Sequence, residues 1–153
     1  MIPDASPQAF RAALDELLAG ARLVIDRPKG SVHPRYPAMV YPLDYGYLEG
    51  TQSIDGGGVD VWRGSQEKVG IVAVISTVDL VKRDTETKLL IDCDEAEIST
   101  VLSFHNESAD MKGALLRRHA APEKQARSCQ EHFQQKCIAA LNRNSLGNKE
   151  IGH

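Results

Sequence analysis

Val59-Asp-Val-Trp-Arg-Gly-Ser-Gln-Glu-Lys-Val-Gly-Ile-Val-Ala-Val-Ile-Ser-Thr-Val-Asp-Leu-Val-Lys-Arg-Asp-Thr-Glu-Thr-Lys-Leu-Leu-Ile91 is the stretch that decides the fold. Its apolar and β-branched runs, Val59–Gly64, Val69–Ser76 and Thr87–Ile91, are too short for helices and are divided by glycine and charged turns, so they read as strands. Outward from it, Arg22–Asp26 and Ala38–Tyr41 are runs of the same kind. Together they predict a small, strongly bent antiparallel sheet of five or six strands. Helices flank it. Ser6 is placed to cap a helix over 6–19, Pro7 suits its first position, and Phe10, Leu14, Leu17 and Leu18 give it an apolar face before Gly20. Asp94-Glu-Ala-Glu97 has capping-box spacing ahead of Ile98, Val101 and Leu102. Pro122 opens a further stretch whose stripe is Ala126, Cys129, Phe133, Cys137, Ile138 and Leu141. The reading is α+β: a small five- to six-stranded OB-like β-barrel over about 22–91, with helices at 6–19 and about 94–145, residues 1–153 forming one domain.

Composition bounds the function. The chain has 153 residues, is 42% hydrophobic and 25% charged, which suits one globular domain with a self-sufficient core. Three cysteines, Cys93, Cys129 and Cys137, form no C-x-x-C pair, and the N-terminus lacks the layout of a secretory signal. A reducing, cytoplasmic setting is expected. No apolar run reaches the roughly 20 residues of a membrane span. With 18 basic and 21 acidic residues the net charge is −3, which disfavours nucleic acid, so any phosphate binding has to be local. Self-association into a homo-oligomer is left open.

Four aspartates carry the chemical signal. Asp55-Gly-Gly-Gly-Val-Asp60 and Asp79-Leu-Val-Lys-Arg-Asp84 share one spacing, and each lies where a strand meets a turn. Oxygen-only ligands at this density suit a hard cation, Mg²⁺ or Mn²⁺. Singly, Asp-Gly is an ordinary turn and Lys-Arg-Asp an ordinary solvated one; the pairing is what points to a site. Arg27, Lys29 and Arg35 precede a cluster holding all four tyrosines, Tyr36, Tyr41, Tyr45 and Tyr47, and Lys82, Arg83 and Lys88 surround the second aspartate pair. Guanidinium, ammonium and phenol groups all bind phosphate oxygens, which suggests a small phosphorylated substrate. The tyrosines read equally as strand residues, and His33 beside Pro34 as the cap of a turn.

The run Tyr41-Pro-Leu-Asp-Tyr-Gly-Tyr47, the loop Asp55-Gly-Gly-Gly-Val-Asp60 and the pair Asp79 and Asp84 resemble, in order and spacing, the soluble family I inorganic pyrophosphatases. The resemblance covers about Leu23 to Ile91. It implies Mg²⁺-dependent hydrolysis of pyrophosphate, or a related diphosphate, by a metal-activated water, with Asp55, Asp60, Asp79 and Asp84 as metal ligands. Asp60 would bridge two ions and Tyr45 contact phosphate. Lys29, Arg35, Tyr41, Lys88 and Lys112 are the remaining candidates for substrate. Three departures stand beside the match. The family's middle loop aspartate, which orients or deprotonates the water, is Gly57 here, leaving Asp44 or Asp26 as a candidate acid. A family lysine two residues after the fourth aspartate is Glu86, with Lys88 nearby. The C-terminal Tyr-Lys clamp is echoed only by Met111-Lys112. These departures open an alternative: a catalytically weak or silent relative that binds a diphosphate, nucleotide or metal.

Overall fold

The computed structural model describes residues 6–118, and the 122–145 helical reading lies outside them. Helix α1 spans Pro7–Ala19, with the Ser6 hydroxyl accepting from the Ala9 N–H at 3.1 Å. Its Leu14 and Leu18 pack on the sheet, whereas Phe10 and Leu17 stay exposed. Strands β1 (Arg22–Arg27), β2 (Asp44–Glu49), β3 (Val59–Arg63), β4 (Ile71–Asp79), β5 (Asp84–Ile91) and β6 (Met111–Arg117) form one sheet, and α2 (Glu95–Phe104) precedes β6.

The strand order is β1-β2-β3-β5-β4-β6. The fold is α+β with six strands, but the sheet is mixed rather than antiparallel. The β4–β5 hairpin folds back so that β5, not β4, lies beside β3, and that pair is parallel. The sheet is also not closed: β1 and β6 are its edges, with no pairing between them among the described residues.

Two strands fall outside the runs predicted from sequence, and one predicted run is not a strand. In β2, Gly46 interrupts the apolar pattern, yet it is required there: a Cβ would sit 1.8 Å from the Val24 carbonyl oxygen of β1. Strand β6 occupies a stretch read as helical, where β4 supplies an unpaired edge from Asp79 to Ala73. Ala38–Tyr41 instead belongs to a narrow loop closed by Gly30 N–H to Tyr41 O (2.8 Å), Tyr41 N–H to Ser31 O (2.9 Å) and one bridge, Val32 with Val40. Pro34, Pro37 and Pro42 remove the donors a longer ladder needs.

Each sheet face has its own core. Leu48, Val61, Val74, Leu89 and Ile91 meet α1 on one side. Tyr41, Leu43, Trp62, Ile75, Leu90 and Cys93 meet Ile98 and Val101 of α2 on the other. Helix α2 is fixed by the predicted capping box, Asp94 Oδ1 accepting from Glu97 N–H (2.8 Å) and Glu97 Oε2 from Asp94 N–H (2.9 Å). Among the described residues no helix is long and apolar enough to cross a membrane.

Candidate functional site

On the α2 face, strand alternation continues the aromatic core into a polar half. Tyr45 lies opposite Trp62, Tyr47 opposite Asp60, and Asp60 opposite Lys88. Along β5, Glu86 and Asp84 follow Lys88 on the same face, and Asp84 is the register partner of Asp79 at the hairpin end. Three of the four aspartates, Asp60, Asp79 and Asp84, therefore share one sheet face. They stand at different levels: four strand residues, about 13 Å, separate Asp84 from Lys88 and hence from Asp60.

The centre of this polar half is a lysine. Lys88 is 4% exposed, and its Nζ donates to Asp60 Oδ2 at 2.6 Å, Glu86 Oε2 at 2.6 Å and the Tyr45 hydroxyl at 3.2 Å. Those bonds use all three ammonium protons. Burial disfavours the Lys88 charge, but Asp60 and Glu86 outweigh it and hold the pKa above its usual value. Burial likewise works against the Glu86 carboxylate, and Lys88 and Lys82 overcome it to hold its pKa low. Tyr45 is pushed far up, chiefly by burial and then by the Asp60 charge, so its phenol stays protonated.

Asp55 lies in the exposed loop before β3, its Oδ1 accepting from the Ser53 hydroxyl (2.5 Å) and the Gly57 N–H (3.0 Å), bonds that lower its pKa. Gly57 is not in a left-handed conformation; its neighbour Gly56, at φ 85°, is. Asp79 Oδ1 accepts from the N–H groups of Val81 and Lys82, both at 2.9 Å, holding the β4–β5 turn. An open groove of about 510 Å³ runs past that turn, lined by Asp79, Arg83, Asp84 and, from the Asp55 loop, Ile54. Among the described residues no three His, Cys, Asp or Glu side chains are gathered to hold a metal. The donor set expected for Mg²⁺ does not fit as it stands: Asp60 is engaged by an ammonium, Asp55 and Asp79 each serve a turn, and the acids are spread along the face.

Other candidates are placed differently. Asp44 Oδ1 accepts from the Lys29 N–H at 2.8 Å, anchoring the proline-rich loop. Lys112 lies opposite Val78, on the other face of the sheet from Lys88, and its Nζ donates to the carbonyls of Asn106 (3.1 Å) and Ser108 (2.8 Å). Lys29 and Arg35 are exposed on the loop. Tyr41 is buried in a ring series, 5.4 Å from Tyr45 and 6.1 Å from His33 between centroids. The His33 pKa is lowered, first by burial and then by the charges of Arg27, Arg35 and Lys82, which come from β1, the proline-rich loop and the β4–β5 turn. Arg27 is itself the register partner of Tyr45. This cationic rim combines residues noticed in the sequence, but the pairing of Glu86 with Lys88 was missed. Its signal was present, since opposite charges two apart on a strand share a face.

No family model and no curated protein matches the chain. Solved structures do. An inorganic phosphatase from Anaplasma phagocytophilum superposes with a TM-score of 0.42 at 17% identity, over 62% of this chain and 81% of that one. The inorganic pyrophosphatase of Helicobacter pylori gives 0.42 at 16%, over 62% and 81%. That of Coxiella burnetii gives 0.41 at 14%, over 63% and 82%. The chain is similar to these bacterial proteins.

Proposed function

We propose that the chain binds a small diphosphate, inorganic pyrophosphate or a compound carrying a diphosphate group, at the cationic rim over the polar half of the α2 face. The observation that supports this reading is that Arg27, Arg35 and Lys82, from three separate segments, all act on His33 by their charge, Arg27 being also paired with Asp26 at 3.1 Å and Lys82 with Glu86 at 3.6 Å. In a chain of net charge −3 such a concentration of positive groups suits an anion, and the adjoining Tyr36, 52% exposed and 4.9 Å from His33 between ring centroids, extends the rim. Arg35 and Lys82 supply charge and N–H donors to phosphate oxygens, and the rim joins the Tyr45–Lys88–Asp60–Glu86 cluster through Lys82, 3.6 Å from Glu86, and Arg27, the register partner of Tyr45.

A second reading is that this diphosphate is also hydrolysed to phosphate in a reaction needing Mg²⁺ or Mn²⁺. It is favoured by the facing carboxylates of Asp79 and Asp84 at the edge of the groove. Pyrophosphate titration calorimetry tests the first reading: Arg35→Ala and Lys82→Ala should each weaken binding about tenfold, the loss of one charge-assisted contact. Unchanged affinity in both variants would remove the rim as the site. Phosphate release measured with and without Mg²⁺ or Mn²⁺ decides the second.

A further inference from the structure

We propose that the Lys88 ammonium is a built-in cation that occupies, between Asp60 and Glu86, the place a divalent ion would otherwise take. The inference does not depend on diphosphate binding. A hard cation takes carboxylates and neutral oxygens as ligands and keeps waters in its remaining positions. Both kinds of protein donor surround Lys88 Nζ: Asp60 Oδ2 from β3 and Glu86 Oε2 from β5 at 2.6 Å, and the protonated Tyr45 hydroxyl from β2 at 3.2 Å, with Lys88 itself 4% exposed. The difference lies in the cation. An ammonium supplies one positive charge and three donors through a covalent tether, so it needs no ion from solution and cannot exchange.

Two sequence features agree with this. Glu86 and Lys88 are two apart on one strand, so both side chains project to the face that carries Asp60, and Lys88 Nζ reaches both carboxylates. Of the three remaining aspartates, Asp55 and Asp79 have an oxygen committed to a turn, Asp84 faces Asp79 at the hairpin end, and no three acids gather to hold a metal among the described residues. A divalent ion entering between Asp60 and Glu86 would have to expel Lys88 Nζ from both carboxylates that balance its buried charge.

The test is Mn²⁺ binding, followed by its electron paramagnetic resonance signal and by calorimetry on the full chain without any phosphate. Wild type and Asp60→Asn should bind Mn²⁺ alike, because Asp60 offers no site while Lys88 is present. Lys88→Ala should gain a Mn²⁺ site of at least tenfold higher affinity than any in wild type. Asp60→Asn or Glu86→Gln in that background should abolish it. Thermal melts cover the case in which Lys88→Ala is unfolded alone: Mn²⁺ should then restore its cooperative transition while leaving the wild-type midpoint unmoved. The proposal is overturned if Asp60→Asn lowers Mn²⁺ affinity tenfold in the wild-type background. It is equally overturned if Lys88→Ala, folded or not, gains nothing from Mn²⁺.

Discussion

The Trp62 indole N–H donates to His105 Nε2 at 3.0 Å, and His105 Nδ1 lies 3.3 Å from the Met111 sulfur, so the buried imidazole is neutral with its proton on Nδ1. Burial, and then the Lys88 charge, lower its pKa to about 4 from an ordinary 6.5. The folded state therefore resists protonation that the unfolded chain accepts. Its stability is whole above about pH 6.5 and declines as the pH falls toward about 4, a linkage worth about 3 kcal/mol. Urea midpoints at pH 7 and 4.5 should show this decline, and His105→Gln, which keeps an acceptor for Trp62, should reduce the difference between them. Gly57 bears on a second residue-scale outcome. A Cβ there would lie 3.2 Å from Asp55 Oδ1 and the backbone is not left-handed, so Gly57→Asp should fold. The new carboxylate would crowd Asp55, raising the Asp55 pKa through like charge, which carboxyl chemical-shift titration by NMR reads directly. At this scale the sequence disclosed the acids and cations by type. It did not disclose that Asp44, Asp55 and Asp79 hold loops, because the N–H groups they bind come from backbone conformation, not residue identity.

Strand β2 depends on the close approach of β1 at Gly46. Gly46→Ala drives a methyl group into the Val24 carbonyl, backbone against backbone, and should cost about 3 kcal/mol or prevent folding; chemical denaturation checks this. Helix α2 depends on its cap. Asp94→Ala should lower stability by about 1 kcal/mol with little effect on ligand binding, since the Glu97 carboxylate also receives the Ser65 N–H and keeps α2 tied to the end of β3. The capping box and α1 were legible because both signals are local: a side chain, a fixed spacing and the following apolar face. Strands β2 and β6 were not, because each is defined by a partner distant in the chain. In β2 the glycine that weakens the strand pattern is what lets it pair, and Met111–Arg117 shows its alternation only once β4 offers an edge.

At the scale of the described fold, the polar half of the α2 face is built round a lysine-centred ionic cluster. Removing Lys88 leaves Asp60 and Glu86 without their shared counter-charge, which should cost about 3–5 kcal/mol in the absence of any ion. The α+β class followed from run lengths, but neither the parallel β3–β5 pairing nor the open sheet did, since topology depends on which hairpin edge β3 meets. Three of the four aspartates singled out by their spacing, Asp60, Asp79 and Asp84, lie on this face, whereas its central charge was concealed in Glu86-Thr-Lys88, a pair separated by a single residue.

The most direct test is a calorimetric titration of wild-type protein with pyrophosphate in EDTA, repeated with Mg²⁺. The cluster supplies its own cation and the rim its own donors, so binding should occur in EDTA and should weaken as added salt screens the rim. Failure to bind in EDTA, with binding restored by Mg²⁺ and lost again in Asp60→Asn, would contradict the account.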